Sequence, residues 1–252
     1  MSLFEQYRPQ GLDDVVGQSA AVQQIKTVLA RGWGGRAWWI TGFSGTGKTT
    51  LARIIAAQGA IELGTEELDS QNLTPARLRD IEHEMQYRML GEKPGKAYIV
   101  NEAHGLRKDT IRQLLVMLER IPSYCTWIFT TTKSGECKLF DDDTGGDAAP
   151  LLSRCIELSL VRDDAAFAKR AREIAQAEGV DGLPLSVYES IVAASKGNLR
   201  RVLQRIEAGS FKADAMAALE RDYAMVASTK GERAEAQRQQ LTAAMAKCKG
   251  GA

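Results

Sequence analysis

Residues 42–49 read Gly-Phe-Ser-Gly-Thr-Gly-Lys-Thr. They match G-x-x-x-x-G-K-[ST], the loop that wraps the phosphates of a nucleoside triphosphate. Ala37 to Thr41 (AWWIT) is a short apolar run suited to a buried strand, and Thr49 to Ala57 (TTLARIIAA) has helical spacing. Strand, glycine loop and helix thus come in the order a phosphate site needs. Glycines let backbone N–H groups turn inward, and the new helix adds the positive end of its dipole. Gly42, Ser44, Gly45, Thr46, Gly47, Lys48, Thr49 and Thr50 are the candidate phosphate ligands. Lys48 is expected to reach the β- and γ-phosphates of ATP, and the Thr49 hydroxyl to hold Mg²⁺.

The strand pattern continues outward from this loop. A short strand is expected near Leu68, then Lys96 to Val100 (KAYIV), Thr126 to Thr131 (TWIFTT) and Ile156 to Leu160 (IELSL). Between them, helices are predicted from Ala20 to Arg31 with Ser19 as N-cap, from Thr74-Pro75 to Leu90, and from an Asp109 cap through Arg120. Residues 1–18 read as irregular, and 133–150 as a polar, acidic surface loop. Strands alternating with helices predict an α/β fold whose parallel five-stranded sheet is sandwiched by helices. Beyond Val161 the pattern is helical only: Asp163 to Glu178, Leu185 to Ser195 and Asn198 to Ala208. A tail over 212–252, rich in Ala, Arg, Glu and Gln, breaks near Ser228 to Gly231. The expected organisation is therefore a sheet domain over 1–160, a small helical lid over 161–211 and a helical tail over 212–252.

Composition sets limits. The chain has 252 residues, 44% hydrophobic and 26% charged, enough to bury a proper core. A net charge of +1 provides no global attraction for nucleic acid, so a DNA surface would have to be a local patch. The helix carrying Arg77 and Arg79 and the turn Arg107-Lys108 are the candidates; solvated charge explains them equally well. Cys125, Cys137, Cys155 and Cys248 form no C-x-x-C pair, which argues against zinc and against a disulfide framework. The polar start MSLFEQYRPQ and the lack of a long apolar run predict no membrane span, and with reduced thiols a cytoplasmic protein.

The strand AYIV runs into Asn101-Glu102. P-loop NTPases carry an acidic pair after a second apolar strand, where the Asp steadies Mg²⁺ and the Glu polarises the attacking water. Asn101 accepts a hydrogen bond from a metal-bound water but brings no charge, so metal support is weakened while Glu102 remains. Replacing Asn101 by Asp is expected to raise turnover. Thr131 and Thr132 end the next strand, and Thr132 would face the γ-phosphate if that strand lies beside the one ending at Asn101. Ser153-Arg154-Cys155 precedes the last strand. Taken alone, Arg154 is an ordinary surface arginine; taken with the loop, it is a candidate finger toward a neighbouring subunit. Gly197-Asn198-Leu199-Arg200-Arg201 opens a helix whose arginines are either a solvated first turn or phosphate ligands.

In this order and spacing the pieces resemble the AAA+ clamp-loader ATPases, the motor subunits of replication factor C and their bacterial and phage relatives. Tyr7, Arg8, Pro9 and Val15, Val16, Gly17, Gln18 resemble the family's Tyr-Arg-Pro and Val-(Val/Ile)-Gly-Gln segments, which implies packing on the adenine. TGFSGTGKTT resembles the Walker A segment, VNEAH the Walker B segment, and FTTTKS sensor 1. LLSRC resembles the arginine-finger motif, and GNLRR resembles sensor 2, which implies Arg200. The resemblance covers about residues 1–210. It implies catalytic roles for Glu102, Thr132, Arg154 and Arg200, metal roles for Thr49 and Asn101, active sites shared between subunits of an oligomer, and a sliding clamp and primed DNA as partners.

The departures from the family pattern are Asn101, the acidic stretch Asp141 to Asp147 before SRC, a short segment after the loop helix, and no cysteine-rich zinc module. The family continues into a helical collar larger than the tail over 212–252, so oligomers are expected to require ATP, DNA or a partner. Two other readings stand beside a clamp-loader ATPase. One is a weakly hydrolysing assembly subunit used as a nucleotide switch, which Asn101 favours. The other is a Holliday-junction branch-migration motor, which the Tyr-Arg-Pro start and the SRC tripeptide fit less well.

Overall fold

The computed structural model describes residues 1–132, 145–179, 183–210, 212–227 and 232–249. The chain forms two compact units. One is Pro9–Val161; the other joins Met1–Arg8 to Arg162–Ala252. Up to residue 160 the elements run α1 (Leu3–Gln6), α2 (Ser19–Leu29), β1 (Arg36–Gly42), α3 (Lys48–Ala57), β2 (Thr65–Asp69), α4 (Pro75–Glu84), β3 (Lys96–Asn101), α5 (Lys108–Leu118), β4 (Cys125–Thr132), a helix Gly145–Leu152 and β5 (Cys155–Leu160).

The five strands make one parallel sheet in the order β2-β3-β4-β1-β5. Strands buried on both faces need apolar residues at every position, which is why AWWI and AYIV show no alternation. Trp38 and Trp39 follow one another on β1, point to opposite faces and are both fully buried. On one face Trp39, Phe129, Trp127 and Tyr98 form an aromatic ladder across β1, β4 and β3, with ring centroids 5.8, 5.9 and 4.8 Å apart. It lies in the same core as Leu78 and Ile81 of α4 and Ile111, Leu114 and Met117 of α5. On the other face Trp38, Ile40, Ile99 and Ile128 pack with Ile25 of α2 and Leu51 and Ile55 of α3.

Several elements differ from the sequence expectations, and contacts with distant parts of the chain account for two of them. Ser19 begins α2 rather than capping it; Gln18 holds the cap position, and its side chain is committed elsewhere. Its amide donates to the Val161 carbonyl (2.7 Å) and accepts from the Val161 N–H (3.0 Å), so it pairs like one more strand residue at the end of β5. Helix α4 stops at Glu84 instead of reaching Leu90. Its last carbonyls are taken by side chains: Lys96 Nζ donates to Glu84 O (2.6 Å) and the Tyr124 hydroxyl to Met85 O (2.9 Å). Asp109 lies in the first turn of α5, with Arg107 at the cap position. Residues 3–6 are helical rather than irregular, and Gly145–Leu152 is helical where a loop is expected. The remainder of that expected loop, 133–144, lies outside the described residues, as do Cys137 and the break expected at Ser228 to Gly231.

The second unit is all helical: Asp164–Ala177, Leu185–Ala194, Leu199–Glu207, Lys212–Ala227 and Glu232–Lys249, with α1 packed on Leu199–Glu207. Asp163 and Asn198 cap their helices by accepting from Ala166 N (2.9 Å) and Arg201 N (3.1 Å). Phe167, Tyr188, Ile191, Val202 and Leu219 form its core, and Leu3 from the chain start joins them. Among the described residues no helix is long and apolar enough to cross a membrane.

Because Trp127 is buried in the aromatic ladder, Trp127→Ala is expected to destabilise the sheet unit by about 3–5 kcal/mol in urea unfolding. A loss below about 1 kcal/mol would contradict the central place given to this ladder.

Candidate phosphate site at the carboxyl edge of the sheet

In parallel α/β sheets ligands bind beyond the carboxyl ends of the strands, where neighbouring connections diverge. Here β1 lies between β4 and β5, and the glycine loop leaves its carboxyl end. A Cβ on Gly42 would sit 2.9 Å from Leu160 Cβ and 3.0 Å from Thr46 Oγ1, so the loop closes on itself only without a side chain there. Gly47 has φ +98° with open space around it; its requirement is conformational, the left-handed turn that starts α3. The Thr46 hydroxyl donates to Phe43 O (2.8 Å) and ties the loop across. The first helical bond runs from Leu51 N to Gly47 O, so the amides of Lys48, Thr49 and Thr50 precede the ladder. Lys48 is buried, and its ammonium donates to the carbonyls of Gly42 (3.2 Å) and Phe43 (3.0 Å) at the centre of the loop.

Register brings the other candidates to this edge. β4 pairs with both β1 and β3, so the condition on Thr132 is met: Thr132 lies level with Gly42. Asn101 faces α3. Its Oδ1 accepts from Thr49 Oγ1 (3.3 Å) and Thr130 Oγ1 (2.9 Å), and its Nδ2 donates to Glu67 Oε1 on β2 (2.7 Å). The other oxygen of Glu67 accepts from Arg53 Nε, 2.8 Å away on α3. Thr130, Glu67 and Arg53 were not singled out from the sequence. For Thr130 the period-2 relation to Thr132 was a usable signal. For Glu67 there was none, because strand order decides which residue of β2 meets Asn101.

Glu102 adopts a left-handed backbone, φ 51° and ψ 47°, at the turn off β3. Non-glycine residues held there cost energy and cluster at functional sites. Its carbonyl is anchored by Ser70 Oγ (2.7 Å) and Gly105 N (2.9 Å). Its carboxylate is exposed to solvent and lies 3.4 Å from His104 Nδ1, which also meets Thr131 Oγ1 at 3.0 Å. The donor set near Thr49 is a hydroxyl and an amide oxygen, hard ligands of the kind Mg²⁺ takes alongside phosphates and water. Among the described residues no group of three or more His, Cys, Asp or Glu could hold a metal ion by itself. Burial pushes the Cys125 thiol up to about 11 and the Cys155 thiol up to about 12, so neither offers a thiolate at neutral pH.

Other predicted residues are placed elsewhere. Arg154 donates to Pro150 O (2.9 Å) and pairs with Glu119. It immediately precedes Cys155, which is level with Ala37, so it lies near the amino end of β1, about 20 Å from Gly42 at strand rise. Val15 packs against the α2–α3 core, and Gly17 takes φ 72° just before Gln18. Pro9 also belongs to the sheet unit, whereas Tyr7, Arg8 and Arg200 belong to the helical one. There the Tyr7 hydroxyl donates to Glu178 (2.7 Å), a bond that raises its pKa, and the Arg200 guanidinium lies 5.3 Å from the Phe4 ring centroid. Arg8 pairs with Glu5. Of the candidate DNA contacts, Arg77 is tied to Glu66 and Glu84, while Arg79 and Arg107 are exposed.

No family model matches the chain. It is 26% identical over 230 residues to DNA polymerase III subunit gamma of Buchnera aphidicola subsp. Acyrthosiphon pisum, covering 81% of this chain and 60% of that one. It is 26% identical over 238 residues to subunit tau of Bacillus subtilis, covering 84% and 40%. Over 212 residues it is 28% identical to the replication factor C small subunit of Methanosphaera stadtmanae, covering 82% and 62%. The relatives are thus subunits of DNA polymerase III and of replication factor C, and the chain spans less than two thirds of their length. Among solved structures the fold is similar to RuvB of Thermotoga maritima: TM-score 0.60, 22% identity, 80% of this chain and 64% of that one.

The left-handed Glu102 predicts an unusual stability pattern. Glu102→Gly should be neutral or stabilising by up to about 1 kcal/mol, because relief of φ offsets the entropy of glycine. Glu102→Val should destabilise by more than about 1 kcal/mol. Thermal melts of the two variants test this; a strongly destabilised glycine variant would contradict it.

Proposed function

We propose that this chain is an ATP-binding and ATP-hydrolysing subunit of the clamp-loader type, coupling nucleotide state to the handling of a sliding clamp and primed DNA within an oligomer. The observation that carries this reading is the convergence at one edge of a parallel sheet of Lys48 and Thr49 from the start of α3, Asn101 and Glu102 from the end of β3 and the turn after it, and Thr132 from the end of β4. The relatives' names give it the replication context.

In this reading the loop amides and Lys48 hold the phosphates, with Lys48 exchanging its loop carbonyls for phosphate oxygens. Thr49 and Asn101 hold Mg²⁺, which when bound neutralises charge on the phosphates. Glu102 orients and deprotonates the attacking water from a solvent-facing position. Thr132 donates toward the γ-phosphate. Arg154 is too far along the sheet to reach its own loop, so its role is to project toward the nucleotide of a neighbouring subunit. An arginine used this way is worth about 10³–10⁵ in rate. The second reading, a slow nucleotide switch, is favoured by one observation: the neutral amide at position 101.

Lys48→Ala is expected to abolish binding of Mg-ATP while the chain stays folded, at a cost of about 1–3 kcal/mol for the lost bonds to the loop carbonyls of a side chain that is buried. Retained affinity would overturn the loop assignment. Glu102→Gln should keep binding and lose turnover by about 10²-fold or more. Arg154→Ala should lose turnover, and mixing it with Lys48→Ala protein should restore part of it, since an intact pocket then meets an intact finger. Turnover undiminished by Arg154→Ala, or a full rate in dilute monomer, would overturn the shared site.

A further inference from the structure

The amide of Asn101 is the pivot of the cation side of the site, and what orients it is on the neighbouring strand. An asparagine amide has an acceptor end and a donor end of almost the same shape. Its donor end here meets Glu67 Oε1 at 2.7 Å, and an ionised carboxylate only accepts. The acceptor end is thereby turned to Thr49 Oγ1 and Thr130 Oγ1. Glu67 is itself held from the other side by Arg53 Nε at 2.8 Å.

We infer that Glu67 is a positioning residue for the Mg²⁺ side of the phosphate site: it locks the Asn101 amide with its oxygen toward Thr49 and supplies, from β2, the negative charge that position 101 lacks. This rests on the phosphate-site reading above. A charge-assisted hydrogen bond to the amide NH₂ polarises the group, so the oxygen facing Thr49 becomes a stronger acceptor. The charge therefore acts through one amide rather than directly. The same geometry changes what is expected of Asn101→Asp. With Glu67 in place, that substitution sets two carboxylates at hydrogen-bond distance, and like charges so placed repel. The gain in turnover expected from the sequence alone should need Glu67 changed as well.

The test uses the full chain and a fluorescent ATP analogue, titrated with Mg²⁺ and, separately, in EDTA. Outer-shell partners of metal ligands are worth about 10–100-fold in metal affinity. Glu67→Gln and Glu67→Ala should each raise the Mg²⁺ concentration for half-maximal binding about tenfold or more, with binding in EDTA unchanged. Arg53→Ala should leave that concentration within about threefold of the parent's, which separates the amide lock from the Arg53 ion pair. Asn101→Asp should lower the melting temperature in EDTA. The double variant Glu67→Gln with Asn101→Asp should recover both the melting temperature and the parent's Mg²⁺ response, because the charge has moved back to β3. Glu67 variants with the parent's Mg²⁺ response, or a double variant no better than Glu67→Gln, would overturn the inference. A parent that binds no Mg-nucleotide would overturn the phosphate-site reading and this inference together. A parent that binds, with every variant unchanged, would overturn this inference alone.

Discussion

The structure of the sheet unit depends on the burial of β1 on both its faces. Trp38 and Trp39 are consecutive, large and fully buried, one in each core. A one-residue slip of β1 would exchange every side chain between the α2–α3 layer and the α4–α5 layer. Register is therefore fixed against β4 and β5 at once, and Gly42 emerges at one defined height on the edge. Everything that meets there inherits that height: Thr132 beside Gly42, Thr130 beside Asn101, and the turn bearing Glu102.

At two adjacent positions this edge departs from what local chemistry prefers. Asn101 is neutral where the proposed function asks for a cation ligand, and Glu102 is left-handed where glycine would be at ease. Both are held by groups outside β3. Glu67 and Thr130 engage the Asn101 side chain, while Ser70 and the Gly105 amide engage the Glu102 carbonyl. Strain and polar demand are met by β2, by the turn after it and by β4, so the site is a property of the assembled sheet and not of the VNEAH segment alone.

Much of this was legible in the sequence. The apolar runs on β1, β3 and β4 are dense enough to be read as doubly buried strands, and the glycine loop marks the first of them as the strand that leads into a helix. The helices expected to open at Asp163 and Asn198 do open there, with those residues as caps, because an N-cap is a contact three residues long. The features that were not legible are set by contacts far apart in the chain. Helix α4 ends where Lys96 and Tyr124 reach its carbonyls. Ser19 reads as the cap of α2, yet Gln18 holds that position and its side chain is taken by Val161, 143 residues away. Glu67 could be linked to Asn101 only once β2 was known to lie beside β3.

The short helix at the chain start has a further consequence. Leu3 is buried in the helical core, and its N–H reaches Glu207, 204 positions later. The five strands and the two cores that flank them are built entirely from residues within Pro9–Val161. Leu3 must then wait for its packing partner until the helix Leu199–Glu207 has been synthesised. During translation the sheet is thus complete in sequence before the helical body, whose two segments lie on either side of it along the chain. Removing residues 1–8 would leave the sheet its register and deprive the helical body of a piece of its core.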